Sequence, residues 1–354
     1  MSNEIKSPWV FGAKNHRHNG VLVEGEEGKN LTVEQAIVKG GLDWLVELRD
    51  FNTSDTDKVA APGWKQVVKV EEVLGKTPDT LVKAFRTLGV VQSRYKELQN
   101  RAAFLFFDRA TLEGAAVIKA VGHLDFGRVV WAVAERPQSM ELAPGDEVHE
   151  HLILTTSHDG TSAVKVMFAP YRTNTGTMLG VSQGRRMKSQ VRVRHTKSIN
   201  LKMDVLHNVL AAETDYFDRW RAALVGDVTQ GKQGFKSRVV TPDEVTRVVN
   251  TLFPSRKKKD ADGNDYEEVS GKAQKARDLI LGRIAEQEKV RKEAYEKVQQ
   301  EPIKGTTALD LFLGVSEYTA KDRKARNEGN NWVVSTFGSG ADLRETAFGL
   351  IAGL

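Results

Sequence analysis

AAVIKAVGHLDFGRVVWAVAE, Ala115–Glu135, decides the fold class. Two runs rich in β-branched residues flank Asp125-Phe126-Gly127, a stretch with the composition of a turn. DEVHEHLILTTSHDGTSAVKVMFAP, Asp146–Pro170, repeats the arrangement around His158-Asp159-Gly160. Asp-Gly between two apolar runs is a strong hairpin signal, because glycine accepts the positive φ that a tight turn needs. Parallel strands need a crossover of a dozen or more residues, and these hairpins leave no room for one. The expectation is therefore an antiparallel sheet, with KSQVRVRH (Lys188–His195) as a further strand. The fold class is α+β: an antiparallel β-sheet meander core flanked by helices, with a helical C-terminal region.

Towards the N-terminus, Thr32 opens TVEQAIVKGG as a capping box with Gln35, and Gly40-Gly41 end that helix. WKQVVKV (Trp64–Val70) has strand character, and NRAAFLFFDRATLEG from Asn100 reads as an apolar helix stopped by Gly114. Past the sheet the period changes. Leu206, Leu210, Phe217, Trp220 and Leu224 fall on one helical face. Residues 225–271 read as connections with a polar, mobile insert, SRKKKDADGNDYEEVSG. A long helix runs from Ala273 until Pro302 breaks it. Further helices follow over Leu309–Arg326 and after Gly338-Ser339-Gly340. The organisation expected is an N-terminal arm and helix over 1–60, a sheet core over 61–225 and a helical region over 226–354.

The chain has 354 residues and no cysteine, which excludes disulfides, thiol nucleophiles and cysteine-based zinc sites together. No run reaches the roughly 18–20 apolar residues of a membrane span. MSNEIKSPWV lacks the apolar core of a signal peptide, so a cytoplasmic location is expected.

The catalytic motifs are weak. Gly180-Val181-Ser182-Gln183-Gly184 has the spacing of a nucleophile elbow, but basic residues with period-2 alternation follow it where a helix should begin. Leu74–Thr77 ends like a phosphate-binding loop, yet Val70 stands where that loop needs its first glycine. His149 and His151 share a strand face and could grip a metal, with His158 approaching across the hairpin; a solvated face explains them as well. Asp260, Asp262, Asn264 and Asp265 suggest a calcium loop with its glycine misplaced. Gly338-Ser339-Gly340 reads as a phosphate site or, more simply, as a cap by Ser339. The expectation is a protein that is not an enzyme and carries no cofactor and no metal.

The informative feature is basic. From Gly160 to Met203 there is no acidic residue, while Lys165, Arg172, Arg185, Arg186, Lys188, Arg192, Arg194, Lys197 and Lys202 all fall there. Such a local field draws in polyanions. Period 2 sends Val191 and Val193 inward and sets Arg192 and Arg194 outward at about 6.6–7 Å, a spacing that suits successive phosphates. Arg172, Arg185, Arg186, Lys188, Arg192, Arg194 and Lys197 are the candidate nucleic-acid contacts, with Tyr171 or Trp131 as candidate base-stacking residues unless they pack in the core. A charged edge strand that merely keeps the chain soluble is the plainer alternative.

The ordered motifs resemble the phage/plasmid-like protein family built on the domain of unknown function numbered 932. The matching residues are Leu42-Asp43-Trp44, LGVVQSRYKELQNRAAFLFFD (Leu88–Asp108), Gly122-His123-Leu124, GRVVWAVAE, His158-Asp159-Gly160 and Arg194-His195-Thr196, then Gly305-Thr306, Glu317-Tyr318 and Phe337-Gly338-Ser339-Gly340. Where that family shows Arg-Val-Val-Cys, this chain has Tyr171-Arg172-Thr173-Asn174 without the cysteine. The resemblance implies a mobile-element setting on phages, plasmids and integrated elements. A basic meander followed by a helix is also similar, at the level of fold, to the core of phage single-strand annealing proteins. The expected function is binding, and annealing, of single-stranded DNA by a homo-oligomer without ATP. A partner face is expected on the long helix at Ala276, Ile280, Ile284, Val290, Ala294 and Val298. The alternative is a non-enzymatic protein-binding or structural factor of a mobile element.

Overall fold

The structure is a computed structural model that describes residues 11–12, 17–22, 31–52, 59–74, 80–112, 116–180, 190–200, 202–203, 215–260, 262, 264–323, 335–336 and 339–354. Among them, no helix is long and apolar enough to cross a membrane.

The class is α+β, with antiparallel sheets and C-terminal helices. Strands β1 (Phe11–Gly12) and β2 (Asn19–Leu22) precede helix α1 (Val33–Lys39). The Thr32 side chain accepts from the Gln35 amide and the Gln35 side chain returns to the Thr32 amide, closing the capping box. Strands β3 (Leu45–Asn52), β4 (Ala60–Leu74) and β5 (Leu81–Gln92) form a three-stranded antiparallel sheet. WKQVVKV accounts for only the middle of β4. A boundary at residue 60 also separates β3 from its pairing partner.

Helix α2 (Asn100–Leu112) leads into the main sheet, built from β6 (Val117–Leu124), β7 (Val129–Ala143), β8 (Asp146–Ser157), β9 (Val164–Arg172), β10 (Thr177–Met178) and β11 (Gln190–Val193). The order is β1-β2-β6-β7-β8-β9-β10, with β11 on β9, and each of these pairs is antiparallel. The β6–β7 turn holds Asp125, Phe126 and Gly127 all at positive φ. The sheet is curled, and both its faces are buried. Leu152 and Leu154 of β8 enter the large core shared with the helices, whereas Ile153 joins Trp131, Val133, Met167 and Ala169 on the other face. Burial on both faces is why this segment reads as an unbroken apolar run.

Helix α3 (Asp215–Leu224) carries Phe217, Trp220 and Leu224 into the core; Leu206 and Leu210 lie outside the described residues. Strands β12 (Gly226–Asp227) and β13 (Lys232–Gln233) form a small hairpin. The supposed connection then contains helix α4 (Pro242–Leu252), opened by a Thr241–Glu244 capping box and Pro242. The polar insert forms a hairpin, β14 (Arg256–Lys259) with β15 (Asp265–Glu268). Asp260 spends its carboxylate on the Asp262 and Asn264 amides in that turn.

Helix α5 (Gly271–Lys297) packs along α6 (Ala308–Glu317), which is buried along its whole length and continues through a π-helical turn at Tyr318–Asp322. Gly314 of α6 admits Ile284 so closely that a methyl there would overlap it. The partner face expected on α5 is thus corrected: Ala276, Ile280 and Ile284 are buried within the chain's own core, and Val290 and Val298 are left exposed. Helix α7 (Ser339–Ala352) closes the fold, and Phe348 joins Trp220, Phe235 and Phe312 in an aromatic cluster.

Candidate nucleic-acid interface

β11 pairs with β9 so that Val191 faces Val166, Arg192 faces Lys165 and Val193 faces Val164. Val193, Val164 and Val166 are buried in the large core, which sends Arg192 and Arg194 to solvent and leaves Lys165 half-buried beside Arg192. Lys197 is exposed in the turn beyond. Burial, and then the charge of Arg192, lower the Lys165 pKa. Among the described residues these four cations form no ion pair, although Lys65, Lys96 and Arg49 each sit on a carboxylate. Cations crowded without a counter-charge favour an anion from outside. Arg185, Arg186, Lys188 and Ser182 lie outside the described residues.

Arg172 is corrected. It is 2% exposed, and its guanidinium makes a forked hydrogen bond to Asp146 at 2.6–3.0 Å. It also donates to Gln287 Oε1 at 2.6 Å and lies 3.6 Å from Glu317. Strand alternation fixed the spacing of its neighbours but said nothing of the α5 and α6 surfaces that cover it. Trp131 and Tyr171 are core residues too, at 0% and 9% exposure, and neither is available to a base.

Beside the basic row, three segments distant in sequence meet. His195 donates through Nδ1 to the Lys96 carbonyl at 3.2 Å, and the Lys96 amide returns to the His195 carbonyl at 3.2 Å. The imidazole stacks on Tyr95 with ring centroids 4.7 Å apart, and Nε2 is 3.3 Å from the Thr156 hydroxyl. Burial depresses the His195 pKa, so the ring is neutral at pH 7. The Tyr95 hydroxyl donates to the Ser157 carbonyl at 3.2 Å. One residue on, His158 is wholly buried between Asn100, whose Oδ1 it meets at 2.8 Å, and the edge of Trp44. Asp159 gathers the Ser157 hydroxyl and the Thr161 amide and hydroxyl, and Gly160 turns at φ 76° against Val91.

A family model described as a domain of unknown function (DUF932) matches residues 87–336, more than two thirds of the chain. The chain belongs to this family. No curated protein and no solved structure matches it. The DUF932 segment runs from the end of β5 to the residues before α7 and includes Tyr95, His158, His195, Arg192 and Arg194. Two of its C-terminal motifs are structural. Glu317 accepts from Thr177 and pairs with Lys321, and Arg291 donates to Asp310 and to the Ile303 and Gly305 carbonyls.

The remaining candidates separate in space. His151 is buried against Tyr171, with its pKa pressed down by burial to about 3, while His149 is half-exposed between Glu147 at 3.0 Å and Glu135 at 3.7 Å. Neither is linked to His158, and no group of three or more potential ligands is placed to hold a metal among the described residues. Gly338 lies outside those residues. Missed by sequence reading is Trp64, 47% exposed, which pairs with Gln92 at the end of the β4–β5 hairpin. An exposed tryptophan in a strand leaves no periodic mark different from a buried one.

Proposed function

We propose that this protein binds single-stranded DNA along the β9–β11 edge, as a non-enzymatic, ATP-independent DNA-metabolism protein of a phage or plasmid acting in the cytoplasm of its host. The observation that carries this is the row Lys165, Arg192, Arg194 and Lys197, exposed or half-exposed and without carboxylate partners among the described residues. Arginine forks match phosphate oxygens, and each phosphate neutralised releases counterions, so binding is sequence-tolerant and salt-sensitive. Annealing of complementary strands, as in recombination, and assembly into a homo-oligomer belong to the same reading. With Ala276, Ile280 and Ile284 of the α5 stripe internal, the reading assigns self-association to Val73, Leu81 and Val82, exposed at the distal end of the β4–β5 hairpin.

That exposed apolar end also favours a second reading, a protein-binding or structural factor of the mobile element. A titration of labelled single- and double-stranded oligonucleotides over a range of salt separates the two. Binding to unrelated single strands with a steep salt slope is expected. No binding at low salt leaves the protein-binding reading.

A further inference from the structure

Trp64 stands at the same corner as the basic row. The Ser93 amide donates to the Gly63 carbonyl at 2.8 Å, and the Tyr95 amide to the Gln92 carbonyl at 2.9 Å, so Gln92–Tyr95 is a tight turn that brings its ends within about 7 Å. Trp64 pairs with Gln92 at one end of that turn, and at the other Tyr95 stacks on His195, the neighbour of Arg194. Arg94, at the turn's tip, is exposed.

The sheet face that carries Trp64 continues the line. Residues directly opposite in an antiparallel pair share a face, as do alternate residues of one strand. Trp64, Gln66 and Val70 of β4 therefore share a face with Arg49 of β3, opposite Gln66, and with Phe85 of β5, opposite Val70. Phe85 is exposed, and the Arg49 guanidinium lies 4.3 Å from its ring centroid. The opposite face sends Val46, Val67 and Val91 into the core. Trp64 lies six residue steps along β4 from Val70, the position opposite Phe85, which is about 20 Å. Trp64 and Phe85 thus present exposed aromatic surface on one sheet face, which a stacked base would bury favourably.

We infer that Trp64 is a base-stacking residue, and that a single strand with its phosphates on Arg192 and Arg194 passes Arg94 and lays its bases on Trp64 and then on Phe85. This rests on the reading proposed above and narrows it. A duplex hides its base faces and cannot use such a platform, whereas every unpaired base offers one. Charge complementarity selects the occupant, since the aromatic face begins where the cation row ends.

The test uses the full chain and three labelled probes of about 30 nucleotides, longer than the roughly 4–16 nucleotides that a single-strand groove covers: oligothymidylate, an abasic strand of the same length, and a duplex. Trp64→Ala is expected to weaken oligothymidylate binding by roughly 5- to 100-fold and to leave abasic-strand binding unchanged. Trp64→Phe is expected to retain most of the affinity, and thermal melting to show both variants folded. Phe85→Ala should give a smaller loss of the same kind. Equal binding of oligothymidylate by Trp64→Ala and the unaltered protein overturns the assignment, as does a loss equally large on the abasic strand. If the unaltered protein binds none of the three probes, the proposed function fails and the stacking role with it. Binding that depends on Arg192 and Arg194 but not on Trp64 sinks the stacking role alone.

Discussion

Arg192 and Arg194 are exposed because Val191 and Val193 take the inward positions of an edge strand. Replacing both arginines with alanine removes no buried group, so the fold should be kept. Affinity should fall about equally for unrelated oligonucleotides, and the slope of log affinity against log salt should shallow by roughly one to two units. An unchanged slope would return them to the role of a solubilising edge. Glu150 is a different kind of residue. It is fully buried on β8, with Arg136 Nη1 at 3.1 Å and no aligned hydrogen bond to either oxygen among the described residues. Burial raises its pKa to about 7 against the pull of Arg136. The folded chain therefore holds this proton over a range where the unfolded chain has lost it, and stability declines as pH rises from about 4.5 to 7. Glu150→Gln should match the wild type near pH 4.5 and exceed it at pH 8 by on the order of 3 kcal/mol in urea unfolding. An equal difference at both pH values would rule the titration out.

At the scale of elements, Arg172 ties the sheet to the C-terminal helices, because Asp146 lies at the start of β8, Gln287 on α5 and Glu317 on α6. Arg172→Ala leaves two buried carboxylates without their shared cation. A loss of about 3–5 kcal/mol is expected in urea denaturation. A variant as stable as the wild type would show the clamp to be dispensable. Helix α4 depends on a local device. The Thr241 hydroxyl accepts from the Glu244 amide, and Glu244 returns to the Thr241 amide at 2.8 Å. Thr241→Ala should cost about 1 kcal/mol. The signals for this helix stand in the sequence: Thr-Pro-Asp-Glu, then Val245, Val248, Val249 and Leu252 at helical spacing. They are easily passed over between glycine-rich connections. The β14–β15 hairpin offered nothing comparable. All eight of its strand residues are exposed, so no hydrophobic period marks it.

Over the whole molecule, the buried histidines set the acid limit. His151 and His158 are both held near a pKa of about 3 by burial, against an ordinary 6.5. The unfolded chain takes up these protons first, so the histidines' contribution to stability is complete above about pH 6.5 and is lost as pH falls towards 3. Two histidines outweigh the opposite contribution of Glu150, and unfolding free energy should rise with pH from 4 to 6.5; a flat profile there would contradict the burial of both rings. By itself the sequence determined the antiparallel meander, the capped α1, the long α5 and the exposure of Arg192 and Arg194. These are local outcomes: turn chemistry, capping and two-fold or 3.6-fold periodicity act between residues a few positions apart. Only the tertiary structure decided that Arg172 is a buried clamp, that Ala276, Ile280 and Ile284 of α5 are spent on the chain's own core, and that Tyr95, His158 and His195 meet at one corner beside Trp64. Those outcomes depend on which surfaces dock across separations such as the 115 residues between Arg172 and Gln287, and no local pattern encodes what will cover a residue.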